Sequence, residues 1–286
     1  MKKLFITLSA IFMALSLNAT DLWTGSQHVT WDTPLNLAAD KFSDATAGQK
    51  LVVTFNNASD GLEFKANGKN IVGSRREAWI SGGGTYELYL TEFALEAIQK
   101  NGLEIVGANF VATKVELLDG KTLKEGKTLW TGSFLAGDWQ TLYLYTEGFN
   151  VIDFSKVDAI RFYSDAAGDD FDFNFRSAWK PETEGYIADR NNVNISFGEG
   201  YMNLNLDDEM RTKLTNAGQL IIQYNTTGKS TAAFNVTDIV LVPKDDSATA
   251  IEQTNADAKA TKILRNGMLV IEKNGKFYNA LGAELK

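Results

Sequence analysis

The chain has 286 residues, a formal net charge of −8, one histidine and no cysteine. Without a thiol there can be no disulfide staple, cysteine nucleophile or acylated N-terminal cysteine, and the single histidine, His28 in a loop, reads as a polar surface residue, so neither a Ser-His-Asp triad nor one of the usual zinc sites is expected. An acidic surface repels phosphate backbones, so neither nucleic acid nor an anionic membrane is an expected partner.

The first elements read as an address. Lys2 and Lys3 form a basic start, Leu4 to Leu17 an apolar run, and Asn18-Ala19-Thr20 a polar exit, so residues 1–19 are expected to be a signal peptide. Cleavage after Ala19 would place Leu17 where a small residue is preferred; cleavage after Ser16 would place Ala14 there. The run is too short to span ~30 Å of hydrocarbon, and nothing later approaches ~18 consecutive apolar residues. A mature protein that is exported, extracellular or at the cell surface, and not inserted in a membrane is the expectation.

From Leu22 the chain begins a pattern that it later repeats. Leu22-Trp23-Thr24-Gly25-Ser26 returns as Leu129-Trp130-Thr131-Gly132-Ser133, about 107 residues on. After each copy come a second tryptophan (Trp31, Trp139) and an alternating segment (Leu35/Leu37 before Phe42, Leu142/Leu144 before Phe149). Next is a strand pattern, Gly84 to Leu90 or Gly200 to Leu206, and then a short helical stretch closed by glycine, Glu92 to Gly102 or Asp208 to Gly218. Each copy closes on a matched strand, Phe110 to Leu117 beside Phe234 to Leu241. These landmarks define module A at 21–119 and module B at 128–244, joined by the charged stretch from Asp119 to Thr128.

Inside each module the apolar period is two, as in Val53/Phe55, Ile160/Phe162 and Phe171/Phe173/Phe175. Gly82-Gly-Gly84 and Gly198-Glu-Gly200 precede strands and not helices, so they read as hairpin turns and not as phosphate loops. Residues 245–261 turn polar and alanine-rich, as a linker does. In 262–286, Asn266-Gly267 and Asn274-Gly275 are type I′ turn signals for a small β-meander. The fold class expected is all-β: two tandem antiparallel β-sandwich modules, jelly-roll-like, and a short C-terminal β-meander.

Aromatic side chains carry the remaining chemistry. Trp23 and Trp130 share one setting at the start of a strand, which favours packing. Trp31 and Trp139 lie in polar loops, where packing and binding stay open. Arg76-Glu-Ala-Trp79 and Arg176-Ser-Ala-Trp179 pair a large ring with a guanidinium, and Trp179 follows directly on a strand, in a polar loop. Tyr143 and Tyr145 alternate with Leu142 and Leu144, so if the leucines face the core the tyrosines face outwards. Pyranose C–H faces lie well on such rings while Arg, Asp, Asn and Gln bond the hydroxyls. An ordinary solvated sheet face would place the tyrosines in the same way. The acidic cluster Asp165 to Asp172 could offer oxygen ligands to calcium but lacks EF-hand spacing and its terminal glutamate, so a solvated turn-forming loop is expected and no cofactor.

In Leu-Trp-Thr-Gly…Trp, the alternating strand before Phe, and the closing strand Val111-Ala-Thr-Lys-Val-Glu-Leu117, the chain resembles non-catalytic carbohydrate-binding-like sandwich modules. These are appended to secreted polysaccharide-degrading enzymes of Gram-negative anaerobic bacteria. The tail, with Lys262-Ile-Leu-Arg-Asn-Gly-Met-Leu-Val-Ile271 and Gly275-Lys-Phe-Tyr278, is similar to C-terminal segments related to type IX secretion sorting domains. No catalytic domain accompanies the modules. Together the residues and the resemblance lead to an expectation of a monomeric protein, not an enzyme, that binds a polysaccharide or oligosaccharide at one shallow site per module. Those sites would use Trp139, Trp179, Tyr145, Tyr143 and Arg176 in module B, and Trp31, Trp79 and Arg76 in module A. A structural or adhesive protein that binds protein partners is the alternative, and a hydrolase built on a carboxylate pair is a third reading.

Overall fold

The computed structural model describes residues 19–75, 78–136, 141–145, 152–165, 170–176, 193–196, 200–216, 219–224, 234–244, 261–265, 268–273, 276–279 and 284–285. The expected signal peptide, apart from Ala19, and the expected linker, apart from Thr261, lie outside them. The chain is all-β with antiparallel sheets, and the two α-helices among the described residues are short.

The first sandwich runs through β1 (Thr20–Val29), β2 (Leu35–Leu37), β3 (Lys50–Ala58), β4 (Gly61–Ala66), β5 (Lys69–Asn70), β6 (Ala78–Trp79), β7 (Gly82–Tyr89), α1 (Glu92–Asn101), β8 (Leu103–Gly107) and β9 (Phe110–Leu118). One sheet has the order β1-β9-β3-β7 and the other β2-β8-β4-β5, with β6 also on β4. Period-two alternation sends Leu51, Val53, Phe55 and Val115 from the first sheet against Leu35, Phe64 and Ile105 from the second, all at 3% exposure or less. With no disulfide to assist, these side chains supply the stability, at roughly 1.5–3 kcal/mol for each one fully buried. The glycine run expected as a hairpin turn is instead the start of β7, where Gly82, Gly83 and Gly84 are exposed on the edge of the sheet. A terminal strand has neighbours on one side only, so it accommodates glycine where a central strand would lose packing.

The second sandwich runs through β10 (Lys127–Ala136), β11 (Thr141–Tyr145), β12 (Val157–Ser164), β13 (Asp170–Arg176), β14 (Val193–Ser196), β15 (Tyr201–Asn205), α2 (Asp208–Thr215), β16 (Gln219–Tyr224) and β17 (Phe234–Pro243). Its sheets have the orders β10-β17-β12-β15 and β11-β16-β13-β14. The ladder β1/β9 shifts register between Asp21 and Trp23 and between Thr24 and Gln27; β10/β17 shifts between Thr128 and Trp130 and between Thr131 and Phe134. Both helices begin on a side-chain cap, Thr91 accepting from the Ala94 N–H and Asp207 from the Met210 N–H. The second helix is shorter than its pattern suggested: α2 stops at Thr215 with Asn216 as its C-cap.

The two sandwiches touch directly. Val72 and Phe93, from the first, belong to the apolar core of the second, beside Leu129, Phe134, Leu144 and Phe154. The Glu92 carboxylate accepts the Thr128 N–H at 3.0 Å, and the Lys127 ammonium lies 5.4 Å from the Phe93 ring centre. The stretch from Asp119 to Gly126 is held on both sides. The Lys121 N–H donates to the Gly48 carbonyl at 3.0 Å, and its ammonium is 2.9 Å from the Asp238 carboxylate.

In the C-terminal unit, β18 (Thr261–Arg265), β19 (Met268–Lys273), β20 (Lys276–Asn279) and β21 (Glu284–Leu285) form an antiparallel meander in chain order. Arg265 pairs with Met268 and Lys273 with Lys276; the Asn-Gly pairs expected as turns lie outside the described residues. Among the described residues no helix is long and apolar enough to cross a membrane.

Gly73 tests how closely the sandwiches are joined. Its φ is +79°, and a Cβ there would overlap the Leu129 carbonyl oxygen of the second sandwich; at Gly68, with φ +72°, a Cβ would meet nothing. Gly68→Ala should therefore cost only the left-handed backbone penalty of about 1–2 kcal/mol. Gly73→Ala should cost clearly more and unfold at lower urea, since the junction must open as well. Equal midpoint shifts would mean that this contact is not tight.

Candidate ligand-binding faces

The repeated tryptophans belong to the cores. Trp130 is 6% exposed within the second core, and Trp23 is half-buried against the first. In each, the ring lies over the glycine two residues on: a Cβ on Gly25 would be 2.8 Å from Trp23 Cζ2, and one on Gly132 would be 2.7 Å from Trp130 Cζ2. The shared motif thus gives a bulged strand room for a ring to fold back along its own backbone, between two register shifts.

Trp31 is different, being 46% exposed in the link between β1 and β2. That link is held by its own chain: Thr30 Oγ1 accepts from the N–H groups of Asp32 at 3.3 Å and Thr33 at 3.0 Å, and Gln27 donates to the Pro34 carbonyl at 2.9 Å.

In the second sandwich, Leu142 and Leu144 are fully buried and Tyr143 is half-buried on the opposite side of β11. The register aligns Tyr143 with Ile221 and Ile221 with Arg176, so two of the candidate residues share one row of one sheet face. With strands ~4.8 Å apart their backbones are roughly 10 Å from one another. The neighbouring row is Thr141, Gln223 and Asn174. In the first sandwich the row Asn36, Glu104 and Lys65 occupies the matching place, and Trp79 is aligned with Gly61 two residues before Glu63 on β4. The Lys65 ammonium is 3.9 Å from the Glu63 carboxylate. Trp139, Trp179 and Arg76 lie outside the described residues, as do the side chains of Tyr145 and Trp79.

A further aromatic face was not singled out from the sequence. Arg161 and Tyr163 alternate with buried Ile160 and Phe162 on β12, and Tyr201 and Asn203 alternate with buried Met202 and Leu204 on β15. Register brings them together. The Tyr163 and Tyr201 ring centres are 5.6 Å apart, the Arg161 guanidinium stacks 4.3 Å from the Tyr201 ring centre, and its Nε donates to Asn203 at 2.8 Å. The alternation that selected Tyr143 applies equally to Tyr163 and would have found it.

The remaining polar candidates are tied into the fold. Asp165, at the head of the acidic cluster, accepts the Asn235 N–H at 2.9 Å. Among the described residues no group of three or more His, Asp or Glu side chains could hold a metal ion. His28 is exposed on β1 and shares a hydrogen bond with Asn109. Burial raises the phenol pKa of Tyr86, with Arg75 pulling in the opposite direction, and the hydrogen bond to Glu87 raises that of Lys50.

No family model and no curated protein matches the chain. Among solved structures, SGBP-B of the Bacteroides ovatus mixed-linkage glucan utilization locus, in complex with a mixed-linkage heptasaccharide, shares 25% identity over 35% of this chain and 29% of its own, with a TM-score of 0.32. A candidate secreted protein of Parabacteroides distasonis shares 10% identity over 83% of this chain and 85% of its own, with a TM-score of 0.21. The chain spans under a third of the Bacteroides ovatus protein's length, and the heptasaccharide is that protein's ligand.

The two kinds of tryptophan should separate in denaturation. Trp130→Ala removes a core ring and should cost about 3–5 kcal/mol, whereas Trp31→Ala should change stability by about 0.5 kcal/mol or less. Urea midpoints of the full chain measure both. A large loss at Trp31 would make it a packing residue after all.

Proposed function

We propose that this is an exported, non-catalytic carbohydrate-binding protein. In this reading residues 21–119 and 128–244 are two copies of one sandwich module, residues 1–19 are a cleaved signal peptide, and 245–261 link a C-terminal sorting segment at 262–286. Each module offers a shallow aromatic site to a polysaccharide or oligosaccharide. The protein acts as a monomer, outside the cell or at its surface.

The observation that carries the reading is the row Tyr143, Ile221 and Arg176 beside Thr141, Gln223 and Asn174. Tyr143 and Arg176 are half-buried at the two ends of the row and Ile221 between them is fully buried, so the row offers a phenol ring to sugar C–H groups and guanidinium donors to hydroxyls at its ends. Trp139, Trp179 and Tyr145 are assigned to the same site by their places next to β11 and β13, and Trp31, Trp79 and Arg76 to its counterpart. Matching bulges and matching strand orders support the tandem copies. The adhesive alternative asks for a continuous apolar patch. The large apolar side chains exposed among the described residues are Trp31 and Leu135, one on each sandwich.

Native affinity electrophoresis of the full chain in gels containing mixed-linkage β-glucan, xyloglucan or polygalacturonate tests this. At least one polymer should retard the wild type. Tyr143→Ala and Arg176→Ala should each weaken retardation about 3- to 10-fold, the size expected for one ring or one hydrogen-bonded group at a shallow site. Trp139→Ala and Trp179→Ala should do the same with unfolding unchanged. Absence of retardation by every polymer would overturn the carbohydrate reading and favour a protein partner.

A further inference from the structure

Between the two sandwiches is a cleft of about 290 Å³, whose walls include Arg75, Tyr86, Glu87, Tyr89, Trp130 and Ser133. Its walls come from two strand edges. β7 is the last strand of its sheet and β10 the first of its own, so among the described residues each has a strand neighbour on one side only, β3 and β17 respectively. Backbone N–H and C=O groups on the other sides want hydrogen-bonding partners. Arg75 enters from the loop after β5, where its backbone bridges Leu144 of β11. Its guanidinium carbon is 5.7 Å from the Phe134 ring centre, and its Nε is buried with no hydrogen-bond partner among the described residues. A buried guanidinium N–H without a partner is costly, so movement of Arg75 toward an acceptor supplied from the cleft would be favoured.

The lining has the composition of a small polar-ligand site: three aromatic side chains, a guanidinium, a carboxylate and a hydroxyl. The volume lies at the lower end of the ~300–1,000 Å³ range of ligand sites, which suits one or two sugar rings and not a long chain. Glu87 can accept from a hydroxyl while it stays paired with Lys50 at 2.8 Å, and Ser133 is exposed at the rim, with its own hydroxyl donating to Asn235 at 2.9 Å. Donors and acceptors around aromatic walls match a hydroxylated pyranose better than an aliphatic or a purely anionic ligand.

We propose that this cleft binds a terminal pyranose unit of a glycan, as a composite site to which both sandwiches contribute and which neither forms alone. The assignment rests on the carbohydrate reading but uses different residues, so the two can fail separately. It also gives the close junction of the sandwiches a purpose beyond stability.

The full chain labelled with 5-fluorotryptophan, with the Trp130 resonance assigned by Trp130→Phe, is titrated with glucose, cellobiose, xylose and galacturonic acid. At least one should shift the Trp130 ¹⁹F signal saturably at millimolar concentration. Arg75→Met should raise the midpoint about tenfold, as loss of a charge-assisted hydrogen bond would. Ser133→Phe, at an exposed rim position, should abolish the shift while gel retardation by polysaccharide persists. A Trp130 signal unmoved by all four sugars, with retardation intact, overturns the cleft and leaves the surface faces standing. An unmoved signal together with absent retardation overturns both. A saturable shift unaffected by either variant places the sugar elsewhere and also overturns the cleft.

Discussion

The contact on which the arrangement depends is the seating of the first sandwich's helix and the loop after its β5 in the core of the second. Phe93 and Val72 are buried among Leu129, Phe134 and Leu144, and Gly73 lies so close to the Leu129 carbonyl that only hydrogen fits. Close-packed interiors are not continuously deformable, so such a contact fixes a geometry and does not merely limit a range. The charged stretch between the modules then follows the junction instead of setting a distance, with Lys121 held by Gly48 on one side and Asp238 on the other.

This bears on how weak sites could be useful. An aromatic pair contributes about 0.5–1.5 kcal/mol beyond its buried area, so a shallow site of two or three rings binds in the millimolar to high-micromolar range. Linking two such sites raises avidity by about 10²–10⁴ when both can engage, and by nothing when geometry forbids it. A flexible tether would tolerate many ligand shapes. Under the proposed function, packed sandwiches would present their faces at one angle and separation, so the gain would be confined to polymers whose own curvature matches, and selectivity would come from spacing as well as from contacts.

Much of this was legible in the residues, because strand alternation is a local signal. The leucines at 142 and 144 and the tyrosine between them separate by face for the same reason that Val53 and Phe55 turn inward: successive side chains on a strand point to opposite sides. The recurrence of Leu-Trp-Thr-Gly-Ser was visible, though its cause was not, since nothing local says that the indole lies over the glycine two positions on. Phe93 was out of reach for another reason. Its place in a helix marks it as apolar and inward, but which core receives it depends on contacts across the junction. The Tyr163 and Tyr201 pair is non-local in the same way, made by the register of β12 against β15. Glycine misled where it normally informs: Gly82 to Gly84 begin an edge strand, where the lack of a side chain removes no packing.

Sheet edges connect these observations. An exposed strand edge is a standing invitation to unwanted pairing, and proteins cover it, twist it or place charge along it. Here β7 carries three glycines, two tyrosines and Glu87, which is paired with Lys50 of β3, and it faces the bulged start of β10 across a gap instead of joining it in a continuous sheet. The bulges in β10 shift its register on both sides of Trp130, which interrupts the regular ladder that a neighbouring strand would need. The repeated motif that packs a ring into each core thus lies, in the second sandwich, on a strand that walls a polar, aromatic-lined opening.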